Sequence, residues 1–208
     1  MHDLVGDRAF AADHAPPDVI AAMGAVAYEV VQAVALPVGV HVLRNDTAAS
    51  IAIAHVAGAR FVRAAVLTGV SPSAQGWLHG TPFDTLRYRK AIGAQDVLLL
   101  ADVASMHNVR PLEVTGEAAN ETVFFGAADT VIVSHRAEEQ AIALQRAAAS
   151  ATVPVLVGGH ATAENVTRLL QHADGAIVGE AFEHRARQAG VDVERVRAFM
   201  ARVRAAER

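Results

Sequence analysis

The chain has 208 residues, 52% of them hydrophobic and only 5% aromatic, which suits one domain of helices layered on sheet. Lys+Arg 18 against Asp+Glu 22 leaves a formal charge of −4 without long runs, so there is no basic stripe for nucleic acid. The absence of cysteine excludes disulfides, thiolate metal sites and cysteine nucleophiles. No charge-free apolar run reaches the roughly 18–20 residues of a membrane span. MHDLVGD lacks the basic and apolar regions of a signal peptide, so a cytoplasmic protein is expected.

Taken in chain order, HDLV at 2–5 is a candidate first strand. PPDVIAAMGAVAYEVVQAV then reads as a helix, with Pro17 in its first turn and Ile20, Met23, Ala27, Val30 and Val34 on one stripe. PVGVHVL (37–43) is the next strand, and NDTAASIAIAHVAG a helix capped by Asp46 and closed by Gly58. RFVRAAVL (60–67), DVLLLADV (96–103), DTVIVS (129–134), VPVLVG (153–158) and GAIVGE (175–180) continue the strands. Their nearly unbroken apolar character is that of strands covered on both faces in a parallel sheet. AEEQAIALQRAAA, TAENVTRLLQHA and DVERVRAFMARV supply further helices. Strand starts recur at roughly the length of a βα unit, with no linker between them, which predicts a single (β/α)8-type barrel domain over 1–208. A doubly wound parallel sheet is the alternative. With HDLV the count reaches seven strands, one short of closure.

The period of two places Val38, Val40 and Val42 on the face toward the helices, and Gly39, His41 and Asn45 inside the barrel. The same parity turns Arg63 and Asp102 inward, where a buried arginine needs an acid and Asp102 is the candidate. Such a pair reads equally as structure or as a charged floor for a polar ligand, with Asp102 as general base. In SPSAQGWLHGTP, Gln75, Gly76 and Trp77 are candidates for a lid over the mouth, and Trp77 also for a partner-facing anchor. No HExxH, GxSxG, P-loop or GxGxxG pattern occurs.

The segments PVGVHVLRND, VLTGV…QGWLHG, LLADVASMH and VPVLVGGHATAENV, in that order, resemble the BtpA/SgcQ family over nearly the whole chain. The resemblance implies a (β/α)8 barrel related to the ribulose-phosphate-binding barrels. It also implies that MHDLVGDRAF matches a segment some fifty residues into a typical member, so that the first βα unit is missing and two strand edges are exposed; either a neighbouring chain covers the gap or the fold is weak. Phosphate is then expected at Gly158 and Gly159, after the seventh barrel strand, and at Gly179, after the eighth. The acid/base candidates are Asp102, His107 and Asp3, the last where the family tends to have an acidic residue. The ligand-binding candidates are Arg63, Asn45, Arg44 and Gln75. Asp3, Asp102 and His107 together are a candidate set for a divalent metal, and no other cofactor is implied. Three positions depart from the family: Met106 stands for a lysine, His160 follows Gly159 in place of a serine-glycine turn, and Glu180 replaces a small hydroxyl residue. The expectation is a possible enzyme acting on a phosphorylated small molecule of the sugar-phosphate type, in a homo-oligomer. The alternative, suggested by the family's name from photosystem I biogenesis, is a non-catalytic assembly factor that binds a protein.

Overall fold

The computed structural model describes residues 13–74, 76–105, 116–159, 161–183 and 190–206. Six parallel strands form one sheet: β1 (Gly39–Val40), β2 (Phe61–Ala64), β5 (Leu98–Ala104), β6 (Thr130–Ser134), β7 (Val155–Gly158) and β8 (Gly175–Ile177). Between β2 and β5 the chain adds a hairpin of β3 (Val70–Ser73) and β4 (Gly76–His79), paired antiparallel in its own two-stranded sheet. The order of the large sheet is strictly sequential. A doubly wound sheet would reverse direction at a switch point, so that alternative is excluded. The proposed strand at 2–5 lies outside the described residues.

The helices are α1 (Pro17–Ala33), α2 (Thr47–Ala57), α3 (Pro82–Ala91), α4 (Gly116–Gly126), α5 (Glu138–Ala148), α6 (Val166–Leu169) and α7 (Val193–Ala206). Asp46 caps α2 as its position suggested, its Oδ1 accepting from Ala49 N–H at 2.9 Å, and Gly58 ends that helix with φ +79°. The second oxygen of Asp46 accepts from Ala15 N–H at 3.0 Å and so ties the approach to α1 onto α2. The stripe of α1 differs from the expected one. Met23 and Ala27 are buried, with Val19, Ile20 and Val31 packed beside them, while Val30 and Val34 are exposed. Val31 continues the four-residue spacing of Met23 and Ala27; Val30 lies about 100° away around the helix. The segment 162–173 holds only one turn of α-helix, because Thr162 N–H and the side chain of Asn165 close a local turn first.

Apolar side chains facing outward from the sheet meet the helices in three clusters. Val40, Val62 and Leu99 pack under α1 and α2; Val131, Val133 and Val155 pack with Ala119 and Ala148 of α4 and α5; Val157 packs with Val166 and Phe199. The inward side chains run from Phe61, Leu98 and Leu100 at the N-terminal end of the sheet to His41, Arg63, Asp102 and Ser134 near the C-terminal end. The sheet is therefore oily at its base and polar where its loops begin.

One buried group breaks this order. Gln145 on α5 is fully buried, and neither Nε2 nor Oε1 has a hydrogen-bond partner. An amide withdrawn from water without compensation is destabilising, so Gln145→Leu should raise stability by about 1–2 kcal/mol, read as a higher urea midpoint at unchanged m-value. A lower midpoint would mean that a buried water satisfies the amide.

Candidate functional site

The polar end of the sheet is organised by one ion pair. Arg63 Nε donates to Asp102 Oδ1 at 3.0 Å and Nη2 donates to Oδ2 at 2.8 Å, a two-point match of guanidinium to carboxylate. Arg63 is the second inward position of β2 and Asp102 the third of β5, one inward step beyond Leu100, the register partner of Arg63; β2 and β5 are direct neighbours, so the pairing follows from strand alternation. The Asp102 side chain is 3% exposed and that of Arg63 23%. Burial works against the charge on Arg63, but the attraction and hydrogen bonds of Asp102 outweigh it, and the guanidinium is held above its ordinary pKa. The two bonds from Arg63 take about half of a carboxylate's acceptor capacity.

Arg44, just past β1, is half-buried, and its buried Nε makes no hydrogen bond. Burial lowers its pKa; the charge of Asp102 opposes that and the like charge of Arg63 adds to it. Arg44 thus brings a second, incompletely satisfied cation to the same electrostatic neighbourhood. Asn45 does something different. Its Oδ1 accepts from Val66 N–H at 2.8 Å, and its Nδ2 donates to Val66 O at 3.0 Å and His79 O at 3.1 Å. Both amide hydrogens are used in joining the end of β1 to the end of β2 and to the hairpin, which leaves only a lone pair on Oδ1 for any ligand. His41 Nδ1 lies 2.9 Å from Arg63 O and further ties β1 to β2.

The hairpin is positioned by close backbone contact. Gly80 N–H donates to Gly69 O at 2.7 Å, and a Cβ at Gly80 would come within 2.6 Å of the Thr68 main chain. Only glycine lets the hairpin return this closely to the end of β2. Beside it, a cavity of about 310 Å³ opens between the end of β2, the end of β5, the hairpin and α4. Asp102 lines it together with Thr68, Ser71, Ser105, Glu121 and Thr122. Four of these were not anticipated as site residues from the sequence: Thr68, Ser71, Glu121 and Thr122 come from the hairpin approach and from α4, whose register could not be read. Ser105 was within sight, in DVAS directly after Asp102. Trp77, on β4, is 64% exposed and faces away from the packed side of the hairpin marked by fully buried Leu78.

The glycine turns lie at the same C-terminal end of the strands, toward the β7–β8 edge of the sheet. Gly158 pairs with Ser134 and Ile177, and a Cβ there would press on Ser134 at 3.3 Å. Gly159 has φ +73°, a conformation that glycine adopts freely. Gly179 precedes a single 3-10 turn at Glu180–Phe182, and Glu180 is exposed. Near the start of α6, Thr162 N–H is taken by Asn165 Oδ1 at 2.8 Å and Glu164 N–H by Thr162 Oγ1 at 3.3 Å, which leaves fewer donors there for an anion. Asp3, Gln75, Met106, His107 and His160 lie outside the described residues. Among the described residues no group of three His, Asp or Glu side chains could hold a metal ion, and no helix is long and apolar enough to cross a membrane.

Sequential parallel strands, alternating helices and a polar site at the strands' C-terminal ends define a barrel of the (β/α)8 class. Consistent with this, the structure matches that of N-(5'-phosphoribosyl)anthranilate isomerase from Pyrococcus furiosus with a TM-score of 0.61 at 17% identity, over 98% of this chain and 87% of that one. The BtpA family model matches residues 1–205, and the chain belongs to that family. It is 36% identical over 202 residues to photosystem I biogenesis protein BtpA of Synechocystis, covering 93% of this chain and 69% of that protein. An uncharacterised protein of Pyrococcus furiosus is 38% identical over 167 residues, covering 79% of this chain and 63% of its own length. The chain thus spans just under two thirds of the second of these relatives.

Proposed function

We propose that this chain is an enzyme acting on a phosphorylated small molecule of the sugar-phosphate type at the C-terminal face of its strands. The observation that carries the reading is the cavity closing on Asp102, a nearly fully buried carboxylate paired with and oriented by Arg63. Asp102 then acts as the acid/base group, with Arg63 fixing the direction of its oxygens and Arg44 contributing positive potential nearby. Phosphate binds across the mouth at the turns of Gly158, Gly159 and Gly179. His107 and Asp3 are proposed as further acid/base groups and Gln75 as a ligand contact. The geometry suits proton transfer next to a carbonyl or hydroxyl, as in an isomerase or an aldol-type lyase; a transferase also fits. The fold likeness to the isomerase supports a phosphorylated ligand by analogy of class.

A second reading, a non-catalytic assembly factor that binds a protein partner, draws on one surface feature. Phe124 and Phe125 on α4 are 80% and 59% exposed and meet edge to face at 5.0 Å. Two bare phenylalanines on an outward helix face suit a protein contact, including one between copies of this chain.

Thermal unfolding separates the readings. A ligand that binds only the native state at a hundredfold excess over its Kd adds about 2.7 kcal/mol, roughly 5–10 °C for a domain of this size. Pentose and hexose phosphates should produce such a shift, and Asp102→Asn should diminish it. No shift with any sugar phosphate would favour the protein-binding reading.

A further inference from the structure

The cavity over Asp102 has a hydrogen-bonding polarity of its own. Thr122 Oγ1 donates to Ala118 O at 2.9 Å and lies 2.8 Å from Thr68 Oγ1. A hydroxyl has one hydrogen, so with that of Thr122 given to Ala118, it is Thr68 that donates to Thr122, and Thr68 then offers the cavity only lone pairs. Asp102 and Glu121 add carboxylate acceptors, and no cation is among the described residues that line the space. Arg63 is taken up by Asp102 and Arg44 does not line the space; among the described residues Glu121 forms no ion pair, so a phosphate here would meet two carboxylates and no cation of the lining. The Ser71 hydroxyl completes the picture. Ser71 is 5% exposed and lines the cavity, yet its Oγ is buried and has no hydrogen-bond partner. An unmade hydrogen bond at a buried hydroxyl is unfavourable in the free protein and becomes favourable when a ligand supplies the missing group.

We infer that this cavity is the subsite for the uncharged, hydroxyl-bearing end of the substrate, with Ser71 and Glu121 as its selecting residues and the phosphate excluded to the far side of the mouth. This rests on the sugar-phosphate reading and specifies which part of the sugar enters over Asp102. At about 310 Å³ the space is at the lower limit of small-molecule sites, roughly 300–1,000 Å³, and suits a short polyol chain or a single ring. Hydroxyl groups donate to Thr68, Asp102 and Glu121, and one exchanges a hydrogen bond with Ser71.

Calorimetric titration of the whole chain with three probes tests this: D-ribose 5-phosphate, D-ribose, and tetrahydrofurfuryl phosphate, which keeps ring and phosphate but lacks the ring hydroxyls. Ribose 5-phosphate should bind more tightly than tetrahydrofurfuryl phosphate. Ser71→Ala should weaken ribose 5-phosphate by about tenfold, the worth of one hydrogen bond, leave tetrahydrofurfuryl phosphate unchanged, and raise the melting temperature of the ligand-free protein. A merely structural serine would instead lower that melting temperature. Glu121→Gln should act in the same sense on ribose 5-phosphate and relax the exclusion of tetrahydrofurfuryl phosphate. Equal binding of the two phosphates, or no effect of Ser71→Ala on ribose 5-phosphate, overturns the subsite. Equal binding of ribose and ribose 5-phosphate, with the Ser71→Ala effect intact, overturns the phosphate reading while the subsite stands. Failure of all three probes to bind overturns both.

Discussion

Arg63→Leu should destabilise the chain by about 3–5 kcal/mol, measured as a fall in the urea midpoint, because it leaves the Asp102 carboxylate buried without its counter-charge. The Asp102 side chain is only 3% exposed, so water cannot replace what the guanidinium supplies. Arg44 is near enough to feel Asp102 but makes no hydrogen bond through its Nε, and it is already disfavoured as a cation by burial. It softens the loss without repairing the geometry. The double variant Arg63→Leu/Asp102→Leu removes both charges together and should recover most of the lost stability, since the attraction within a buried pair is largely offset by desolvation of its members. The coupling between the two sites is then large and favourable in the native chain. If the double variant were as unstable as the sum of the single ones, the pair would be two independent contacts. Ligand binding should behave differently, since neither the single nor the double variant presents an oriented carboxylate to the cavity. Loss of binding with recovery of stability would separate the chemical role of the pair from its packing.

Much of this architecture was legible in the residues, and the reason is the period of two. In a sheet buried on both faces the strands announce themselves as continuous apolar runs, and any charge within such a run must face the lumen. Arg63 and Asp102 are such charges, on strands that turned out to be direct neighbours in register. Asp46 and Gly58 were legible for a local reason, since a cap is made within one turn of its own helix. What escaped was whatever depends on several segments at once. The hairpin of β3 and β4 carries no Asn-Gly or Asp-Gly turn and has a proline within β3, so neither strand showed a recognisable pattern. α3 and α4 stand on the outer layer with few buried positions, Thr85 on one and Ala119, Thr122 and Gly126 on the other, too few to print an apolar stripe. The cavity takes its lining from β2, β5, the hairpin and α4 together, so Ser71 and Thr122, far apart in the chain, gave no joint signal. The exposed Val30 and Val34 show the same limit from the other side. On an alanine-rich helix the stripe is broad, and the neighbouring helix decides which edge of it is buried.

Asn45→Ala is expected to be the second most damaging single change, although Asn45 carries no charge and was singled out as a ligand contact. Its amide makes three hydrogen bonds, with Val66 N–H, Val66 O and His79 O. Val66 is buried, so truncation strands a main-chain donor and acceptor away from water, and each such orphan is worth roughly 1–3 kcal/mol. A total loss of about 2–4 kcal/mol follows, seen as a lower urea midpoint. The three bonds differ in what they secure. Those to Val66 join β1 to β2, whereas the one to His79 O holds the hairpin that carries Ser71 over the cavity. Asn45→Asp keeps the acceptor for Val66 N–H but loses both donors and sets a carboxylate against two carbonyls, so it should be no better tolerated than alanine. Hydrogen exchange distinguishes a clamp from a ligand contact. In Asn45→Ala the amides of Val66 and Gly80 should lose protection in the absence of any ligand, the first as the partner of Oδ1 and the second as the link from the hairpin to Gly69 O. A variant with full protection at both amides, normal stability and reduced affinity for a sugar phosphate would instead make Asn45 part of the binding surface.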